Sequence, residues 1–452
     1  MRVSTPLIYN NSLDGMLQQQ SLLNKTQSQI SSGLRMLAPA DDPYGASRIL
    51  DLSGGISTND QFAKNADYAT NRLAMADTTL DSVSEYIKRV RELSIQANNG
   101  TQTVESLRDI SAEVELLLDG LVSLGNTRDS NGEYIYGGYQ GKTTPFAATT
   151  NGTFAYFGDQ GQRKVRIGGS TFVEVSDSGD DVFRFIRRGN GVFETAEGAA
   201  NVGTGMIDVG SVVGTYTPGY YEIKFIQPPQ PAAFTDLPQY YVLYQPITTP
   251  PALPPAQQVI VSGSGAAYAT EAVFLAAVSA GAENGVSYKE GATISFNGLQ
   301  TSIIGTPDAG TRTAPPVPIV TPGDSFTLYP STNQDIFQTV QNLVNALAMP
   351  HNTDANKAHF HNAMNRVIAD LDQGLGNIID YRAKIGGRLN IVDRQKGILD
   401  AVNIQSKSTI SQLKDLDYAQ AATSLSRQLL GLEAAQNSFA KTQSLSLFNY
   451  IR

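Results

Sequence analysis

The stretch FAKNADYATNRLAMADTTLDSVSEYIKRVRELSIQA at residues 62–97 decides the fold, because its apolar and small residues are spaced for one long helix. They form two rows, each repeating every seven residues, which is typical of a helix that packs along a single seam. The rows are Phe62, Ala69, Ala76, Val83, Val90 and Ala97, and Ala66, Leu73, Leu80, Ile87 and Ser94. A helix over about 45–99 would be about 80 Å long at about 1.5 Å per residue. The pattern therefore predicts a rod rather than a globule.

The C-terminal part of the chain repeats this spacing, and the middle interrupts it. The C-terminal row consists of Met364, Leu371, Ile378, Ile385, Val392 and Leu399. Of the 21 prolines, 17 lie between residues 145 and 330, and proline breaks helix interiors. We therefore expect an α+β fold: an elongated antiparallel coiled coil or helical bundle built from both termini, with an inserted mainly-β domain.

Five segments follow from this division. They are an N-terminal assembly helix at 1–44, the N-terminal part of the helical rod at 45–144, an inserted mainly-β outer domain at 145–330, the C-terminal part of the rod at 331–405, and a C-terminal assembly helix at 406–452. Within the first part of the rod, a further helix is predicted at about 104–128.

The middle segment carries strand signals. Tyr221, Ile223 and Phe225 alternate with charged residues, as in a strand with one buried face. Other strands are predicted at 163–168, 171–176, 240–244, 257–262, 292–297 and 325–329, with a short helix at about 270–280. The proline-rich stretch 228–255 predicts a loop or an edge strand rather than a central one.

The first and last helices share a seam that glutamines interrupt, and this shared pattern predicts that they pair. In the first helix the rows are Leu13, Gln20, Gln27 and Leu34, and Met16, Leu23, Ile30 and Leu37. In the last helix they are Tyr418, Leu425, Leu432 and Phe439, and Ala422, Leu429, Gln436 and Gln443. Polar residues at seam positions fix register at a cost in stability. We expect these residues to form an interface with identical chains; the alternative is two amphipathic helices of an ordinary bundle.

The segment between the first two helices carries stop and start signals. Pro39 is expected to break the first helix. Asp41 or Asp42 is expected to cap the second helix, with Pro43 at its first position.

Composition argues against several function classes. The chain has no Cys, so disulfides, thiol nucleophiles and Cys-type zinc sites are excluded. The net charge of −9 argues against a nucleic-acid partner. No apolar run reaches the roughly 18 residues of a membrane span, and MRVSTPLIYNNSLDG predicts no Sec-type signal.

Catalytic and metal signals are weak. His351, His359 and His361 are the only histidines. The last two, two residues apart, would point about 200° apart on a helix, which suits a polar helix start better than a metal site. We expect no enzyme activity, no metal and no cofactor, although an enzyme site in the middle domain remains an alternative.

Several segments at both ends resemble the flagellin superfamily of bacterial flagella. They are Gln29-Ile-Ser-Ser-Gly-Leu-Arg35, Ala40-Asp-Asp-Pro-Tyr-Gly-Ala-Ser-Arg48, Asp415-Leu-Asp-Tyr-Ala-Gln-Ala421 and Gln436-Asn-Ser-Phe-Ala-Lys441. Three details are more similar to the hook-associated members found at the hook–filament junction. They are the tail Leu445-Ser-Leu-Phe-Asn-Tyr-Ile451, the stretch 132–139 followed by 143–146, and 156–161 leading into 165–168. The resemblance covers about 1–185 and 355–452.

The resemblance implies a structural protein that assembles head to tail and joins the hook to the flagellin filament outside the cell. It implies copies of the same chain, a neighbouring hook-associated protein, flagellin and a flagellar export chaperone as partners. It also implies export through the flagellar type III apparatus. Two alternatives remain open: a flagellin filament subunit, and a secreted adhesin that uses the helices as a stalk.

Overall fold

A computed structural model describes residues 5–149, 152–228, 238–247, 257–312 and 319–444 of the 452-residue chain. The helices in this part are α1 (Thr5–Ser32), α2 (Pro43–Ala97), α3 (Val104–Gly125), α4 (Gly179–Phe183), α5 (Glu271–Ser279), α6 (Ile336–Leu347), α7 (Asp354–Lys414) and α8 (Tyr418–Ser444). The strands are β1 (Phe146–Ala148), β2 (Phe154–Tyr156), β3 (Lys164–Arg166), β4 (Phe172–Glu174), β5 (Ile186–Arg187), β6 (Phe193–Glu197), β7 (Met206–Ile207), β8 (Ser211–Val212), β9 (Gly219–Ile226), β10 (Gln239–Pro246), β11 (Gln258–Val261), β12 (Val286–Ser287), β13 (Thr293–Phe296), β14 (Leu299–Ile304), β15 (Thr311–Arg312), β16 (Val320–Thr321), β17 (Ser325–Pro330) and β18 (Asn333–Gln334). The predicted α+β fold is confirmed.

The described residues divide into two compact units, which cut across the five predicted segments. One unit contains 5–68, 166–172 and 392–444, and the other contains 69–165 and 173–391. The strand-rich region and the helices next to it therefore form one compact unit. The terminal helices, with the adjoining ends of α2 and α7, form the other.

In the larger unit, the sevenfold rows of α2 and α7 are buried. Leu80, Val83 and Ile87 of α2 are fully buried, as are Leu371 and Ile378 of α7. Apolar residues spaced at three and four positions lie on one side of a helix, so burial of that side stabilises the whole element. The long helices follow directly from the spacing in the sequence.

Helix α6 is an amphipathic helix that the sequence patterns did not single out. Asp335 caps it, because its Oδ1 accepts a hydrogen bond from the Gln338 N–H at 2.5 Å. The helix packs against α3 and buries Phe337, Val340 and Leu343. The helix that follows the strand-rich region therefore packs against α3, the helix that precedes that region.

The main sheet of the larger unit is antiparallel, with the strand order β11-β10-β9-β17-β6 and β12 also paired with β10. The alternation in β9 is as predicted, since Tyr221, Ile223 and Phe225 are buried. A second sheet, β13-β14-β7 with β8 beside β14, contributes Ile294, Leu299 and Ile303 to the same apolar core.

The expectation for the proline-rich stretch 228–255 is wrong at β10. This strand lies between β9 and β11 and is therefore an inner strand. Pro238 precedes the strand and Pro246 is its last residue, and the residues between them keep the N–H groups that a central strand needs. The rest of that stretch, 229–237 and 248–255, lies outside the described residues.

The first helix also ends earlier than predicted. α1 stops at Ser32, and Gly33 takes a left-handed conformation (φ 71°) in which its N–H donates to the Gln29 carbonyl at 2.8 Å. Glycine adopts this conformation without the penalty that a side chain brings, and it commonly ends helices. Leu34 and Leu37 therefore lie beyond the helix and do not extend its rows.

Candidate assembly interface

The smaller unit contains the pairing of α1 with α8. The C-terminal end of α1 lies at the N-terminal end of α8, where a Cβ on Gly33 would lie 2.9 Å from the hydroxyl oxygen of Tyr418. Halfway along, Gln19 of α1 reaches Gln428 of α8. The two helices are therefore antiparallel partners in the same chain.

Burial along the two helices identifies the side by which they pair. Most of the less exposed positions fall in two sets: Ser12, Met16, Gln19, Leu23, Thr26 and Ile30 of α1, and Ala421, Leu425, Gln428, Leu432, Ala435 and Phe439 of α8. Gln29, Ser424 and Gly431 are partly buried as well. Both sets alternate in steps of four and three residues, which is the spacing of a coiled-coil seam.

Half of each predicted seam lies on this side. Met16, Leu23 and Ile30 are in the contact on α1, and Leu425, Leu432 and Phe439 are in the contact on α8. The second predicted row is displaced by one position in both helices. The actual partner rows begin at Ser12 and Ala421, and their small and polar residues carry little signal in the sequence.

The residues of the displaced rows are exposed within the single chain. Leu13 and Leu429 keep 37% and 50% of their surface accessible, and Gln20, Gln27 and Gln436 are exposed. These glutamines therefore do not interrupt the contact between α1 and α8. The side chain of Gln443 lies outside the described residues.

Large apolar side chains beside these rows are exposed as well. Leu17 and Leu22 of α1 and Leu430 of α8 are exposed, as is Tyr418 at the start of α8. The helix pair thus buries one side of each helix and leaves further leucines uncovered. Contiguous exposed apolar residues are typical of surfaces that bind another protein.

The turn that joins α1 to α2 is held by two aspartates with different roles. Asp42 caps α2, since its Oδ1 accepts from the Gly45 N–H at 2.9 Å and Pro43 is the first helical residue. Asp41 instead closes the turn, since its Oδ2 accepts from the N–H groups of Leu37 and Ala38 at 3.0 and 3.1 Å.

Asp41 also forms an ion pair with Lys25 of α1, at 2.7 Å. This hydrogen bond, together with those from the backbone at Ala38 and Leu37, lowers the pKa of Asp41 to about 2. The carboxylate is therefore charged at all physiological pH values. Pro39 is exposed in the middle of the turn and lines a cavity of about 290 Å³ with Leu37 and Leu50.

The same turn is joined to the end of α7 by backbone hydrogen bonds. The Arg35 N–H donates to the Lys414 carbonyl at 2.8 Å, and the Leu416 N–H donates to the Gly33 carbonyl at 3.0 Å. The Arg35 guanidinium adds two bonds to the Leu413 carbonyl, at 3.0 and 2.7 Å. Leu34 is half-buried here and forms a β-bridge with Asp415.

The adjoining ends of α2 and α7 pair through polar groups. Asn403 of α7 bonds to Asn59 and Asp60 of α2 at 3.0 Å each, and Lys396 pairs with Asp67 at 2.7 Å. Sequence reasoning missed these contacts, because asparagine and aspartate at seam positions carry no apolar signal.

Two negative findings apply to the described part of the chain. No group of three or more His, Asp or Glu side chains there converges on a position suited to a metal ion. None of the helices there has the length and apolar character needed to cross a membrane.

The histidines have protein partners. His359 bonds to the Asn201 carbonyl at 3.0 Å, and His361 bonds to Asn98 at 2.7 Å through Nδ1. Burial, with a smaller contribution from His351, lowers the pKa of His361. The ring of His351 packs edge-on against Phe360.

Comparison with known proteins shows what this chain resembles. Residues 3–141 match the family model of the bacterial flagellin N-terminal helical region. The N-terminal part, including α1, α2 and α3, is therefore flagellin-like, and the resemblance predicted from the sequence is confirmed.

Among individual relatives, flagellar hook-associated protein 3 of Escherichia coli (strain K12) is 30% identical over 183 residues, which are 40% of this chain and 57% of that protein. The chain thus matches a little over half the length of that curated relative. Flagellins match it more distantly.

Two solved structures are similar over most of the chain. Flagellar hook-associated protein 3 of Legionella pneumophila is 28% identical, with a TM-score of 0.68, and the match covers 81% of this chain and 98% of that one. FlgL of Xanthomonas campestris is 26% identical, with a TM-score of 0.63, and the match covers 80% and 99%. The Legionella protein is named a hook-associated protein, which confirms the predicted likeness to that branch of the superfamily.

Proposed function

We propose that this chain is a structural protein of the bacterial flagellum that forms, with copies of itself, the junction between the hook and the flagellin filament. The names of its relatives support this role, and one similar structure, from Legionella pneumophila, is described as a flagellar junction protein. The observation that carries the proposal is the pairing of α1 with α8, which leaves Leu13 and Leu429 exposed on a second side.

The exposed leucines give a physical mechanism for assembly. Burying one large apolar side chain contributes about 1.5–3 kcal/mol before ordering costs. Leu13, Leu17, Leu429 and Leu430 are uncovered in the single chain, so neighbouring copies gain this free energy on contact. Different surfaces of each copy meet in a head-to-tail arrangement, which builds a tube rather than a closed dimer.

The same proposal includes the predicted interface residues. Met16, Leu23, Ile30, Leu425, Leu432 and Phe439 hold the pair within one chain, whereas Leu13, Gln20, Gln27, Leu429 and Gln436 face the neighbouring copies. Exposed glutamines among exposed leucines supply hydrogen bonds that select one packing of the copies.

The partners follow from the position at a junction. One side of the assembly contacts a neighbouring hook-associated protein and the other contacts flagellin, outside the cell. A flagellar chaperone binds the chain before its export through the type III apparatus. The role is structural rather than catalytic, without cofactor or nucleic acid.

The two alternative functions, filament subunit and stalked adhesin, predict different behaviour. A filament subunit would assemble into long polymers, and a stalked adhesin would bind a ligand through 145–330 and would be dispensable for motility. The solved structures of hook-associated proteins cover about four fifths of this chain, including strand-rich residues, which favours the junction.

A gene deletion tests the proposal directly. The deletion strain should release unattached flagellin into the medium and lose motility. Complementation with the wild-type chain or with Val273→Asp, an exposed control on α5, should restore attached filaments. Leu13→Asp with Leu429→Asp should be exported and folded, but should leave most flagellin unattached.

Two results would contradict the proposal. Attached filaments and normal motility in the deletion strain would exclude a junction role. Full rescue by the double aspartate variant would exclude the exposed rows as the assembly surface. Helical content by circular dichroism serves as the control for folding, since both leucines are already exposed to solvent.

A further inference from the structure

The turn between α2 and α3 contains an Asn-Gly step whose peptide nitrogen has no partner. Asn99 and Gly100 are both exposed, and the Gly100 N–H donates no hydrogen bond within the described residues. A Cβ placed on Gly100 would meet no atom within 4 Å. The Gly100 nitrogen is therefore not held by a hydrogen bond, and there is open space beside it.

The side-chain amide of Asn99 folds back toward the same nitrogen. Its Oδ1 accepts hydrogen bonds from the Thr101 N–H at 3.2 Å and from the Thr101 hydroxyl at 3.1 Å. Asparagine reaches the backbone two residues ahead in this way by bending along the main chain, which brings its Cγ beside the intervening Gly100 nitrogen. The Nδ2 of Asn99 donates no hydrogen bond in the part of the chain that the structure describes.

The two hydrogen bonds from Thr101 make the Asn99 amide carbon more reactive. Donors that point at a carbonyl oxygen stabilise the negative charge that develops on it when a nucleophile adds to the carbon. Here the carbonyl is that of the Asn99 side chain, and the nearest nucleophile is the Gly100 nitrogen. Their reaction closes a ring of five atoms, which is free of strain.

The other four Asn-Gly steps among the described residues are held more tightly. At three of them the glycine N–H already donates a hydrogen bond, namely Gly132 to Asp129, Gly191 to Arg188 and Gly285 to Gln239. At the fourth, Asn297 donates its own Nδ2 to the Tyr221 hydroxyl at 3.3 Å. Only at Asn99 are the nitrogen and the leaving amide both without a partner among these five.

We propose that Asn99 and Gly100 form a site of self-modification by deamidation. The Gly100 nitrogen forms a bond to Cγ of Asn99 and loses its proton, and the bond from Cγ to Nδ2 breaks to release ammonia. The cyclic imide that results takes up one water molecule and opens to an aspartyl or isoaspartyl residue at position 99. Nothing is oxidised or reduced, and water is the co-reactant.

The product changes the end of α2. Asn98, the preceding residue, donates its Nδ2 to Asn365 of α7 at 3.1 Å, and its Oδ1 lies 2.7 Å from Nδ1 of His361. Both products add a negative charge just beyond the C-terminal end of α2, where the helix dipole disfavours it. The isoaspartyl form also adds a methylene to the main chain. The reaction therefore weakens the contact of this end of α2 with α7 as the protein ages.

Mass spectrometry of the purified full-length chain tests the site. The folded chain is kept in mildly alkaline buffer and then digested with trypsin, which gives fragments 92–108 and 129–142 with Asn99 and Asn131 on separate peptides. Asn99 should convert several-fold to about tenfold faster than Asn131, because the Gly132 N–H must first lose an ordinary hydrogen bond. In urea the two should convert at similar rates. In heavy-oxygen water the product should take up one labelled oxygen atom.

Two variants test the parts of the mechanism. Gly100→Ala adds a Cβ that the fold accommodates but that hinders the approach of Cγ, so conversion should slow about tenfold, or about 1.4 kcal/mol in activation free energy. Thr101→Val removes the hydroxyl donor and should slow conversion in the folded chain but not in urea. The loss should be far below the roughly 10²–10³-fold cost of removing a donor from an enzyme's oxyanion hole, because water replaces the hydroxyl at this exposed position.

Three outcomes would overturn the proposal. They are conversion of Asn99 no faster than that of Asn131 in the folded chain, the same ratio of the two rates in urea, and an unchanged rate in folded Thr101→Val. Each rate is measured on the purified chain, so these results are independent of the junction role, which filament attachment tests.

Discussion

Replacing Phe337 with alanine should destabilise the larger unit strongly. Phe337 is the second residue of α6 and is fully buried. Its ring centroid lies 4.9 Å from that of Phe146, 5.5 Å from that of Phe154 and 5.7 Å from that of Phe183. These aromatic residues come from four separate elements or loops, and Phe337 contacts all of the others.

The expected loss is about 4 kcal/mol, because a buried Phe→Ala change removes apolar contact and leaves a cavity that neighbours fill only in part. With a urea dependence of about 3 kcal/mol per molar, the unfolding midpoint falls by about 1.3 M. Phe185→Ala, at a position that is 48% exposed, is the control and should change stability by less than about 1 kcal/mol.

Urea unfolding followed by tyrosine fluorescence measures this change, since the chain has 20 Tyr and no Trp. Gly125→Ala gives an independent test. Its new Cβ would lie 3.0 Å from the Phe146 ring and 3.1 Å from the Phe337 ring, so it should cost about 1–3 kcal/mol by overpacking. Phe337→Ala opens space at that point. The double variant should therefore lose less stability than the sum of the two single losses.

A loss below about 1 kcal/mol for Phe337→Ala would refute this account of the cluster. Strict additivity of the two changes would also refute it, because it would mean that Gly125 and Phe337 do not share packing space.

Two further predictions concern a helix cap and a buried carboxylate. Asp42→Ala removes the side-chain acceptor for the Gly45 N–H and should cost about 1 kcal/mol, seen as faster hydrogen exchange at Gly45; Asp51→Ala, which removes no cap, should leave that rate unchanged. Burial alone would raise the pKa of Glu283, but hydrogen bonds from Ser264, from the Asn284 backbone and from Tyr268 outweigh it and lower the pKa to about 2. Because the pKa of Glu283 is lower in the folded chain than its ordinary value, the ionised carboxylate stabilises the fold above about pH 4.5, and this stabilisation is lost as the pH falls toward 2. Glu283→Gln should therefore flatten the dependence of the unfolding free energy on pH in this range. A dependence unchanged from that of the wild-type chain would contradict this role of Glu283.

The long helices could be predicted because their signal is repeated many times. Leu73, Leu80 and Ile87 all report the same face of α2, so one ambiguous residue does not change the prediction. α6 has only 12 residues. A helix of that length contains few repeats of the apolar spacing, so the sequence does not predict it as a helix distinct from α7.

The terminal helices show where spacing alone is insufficient. Leu13 and Leu429 suggested a seam, but in the single chain the contact uses Ser12 and Gln428 instead, one position earlier in each case. A helix with apolar residues on two sides offers two possible seams, and only the partner decides which one is used. The end of α1 could not be predicted from spacing either, because Leu34 continues the sevenfold row although the helix ends before it, at Ser32.

The candidate site could be located in outline but not in its details. Asp42 and Pro43 form the cap, as their types suggested, whereas the turn-closing role of Asp41 depends on where Leu37 and Ala38 place their N–H groups. The contact of Gln19 with Gln428 joins residues 409 positions apart in the chain, and nothing local to either residue indicates it.

The junction between Gly33–Arg35 and Leu413–Leu416 has a consequence for the making of the protein. Its hydrogen bonds join two parts of the chain that are far apart in sequence, since Arg35 and Leu413 are separated by 378 positions. A chain cut before Leu413 has no acceptor for the Arg35 guanidinium or N–H and no donor for the Gly33 carbonyl. The turn after α1 therefore keeps these hydrogen-bonding groups open until residues 413–416 have been synthesised and have folded against it.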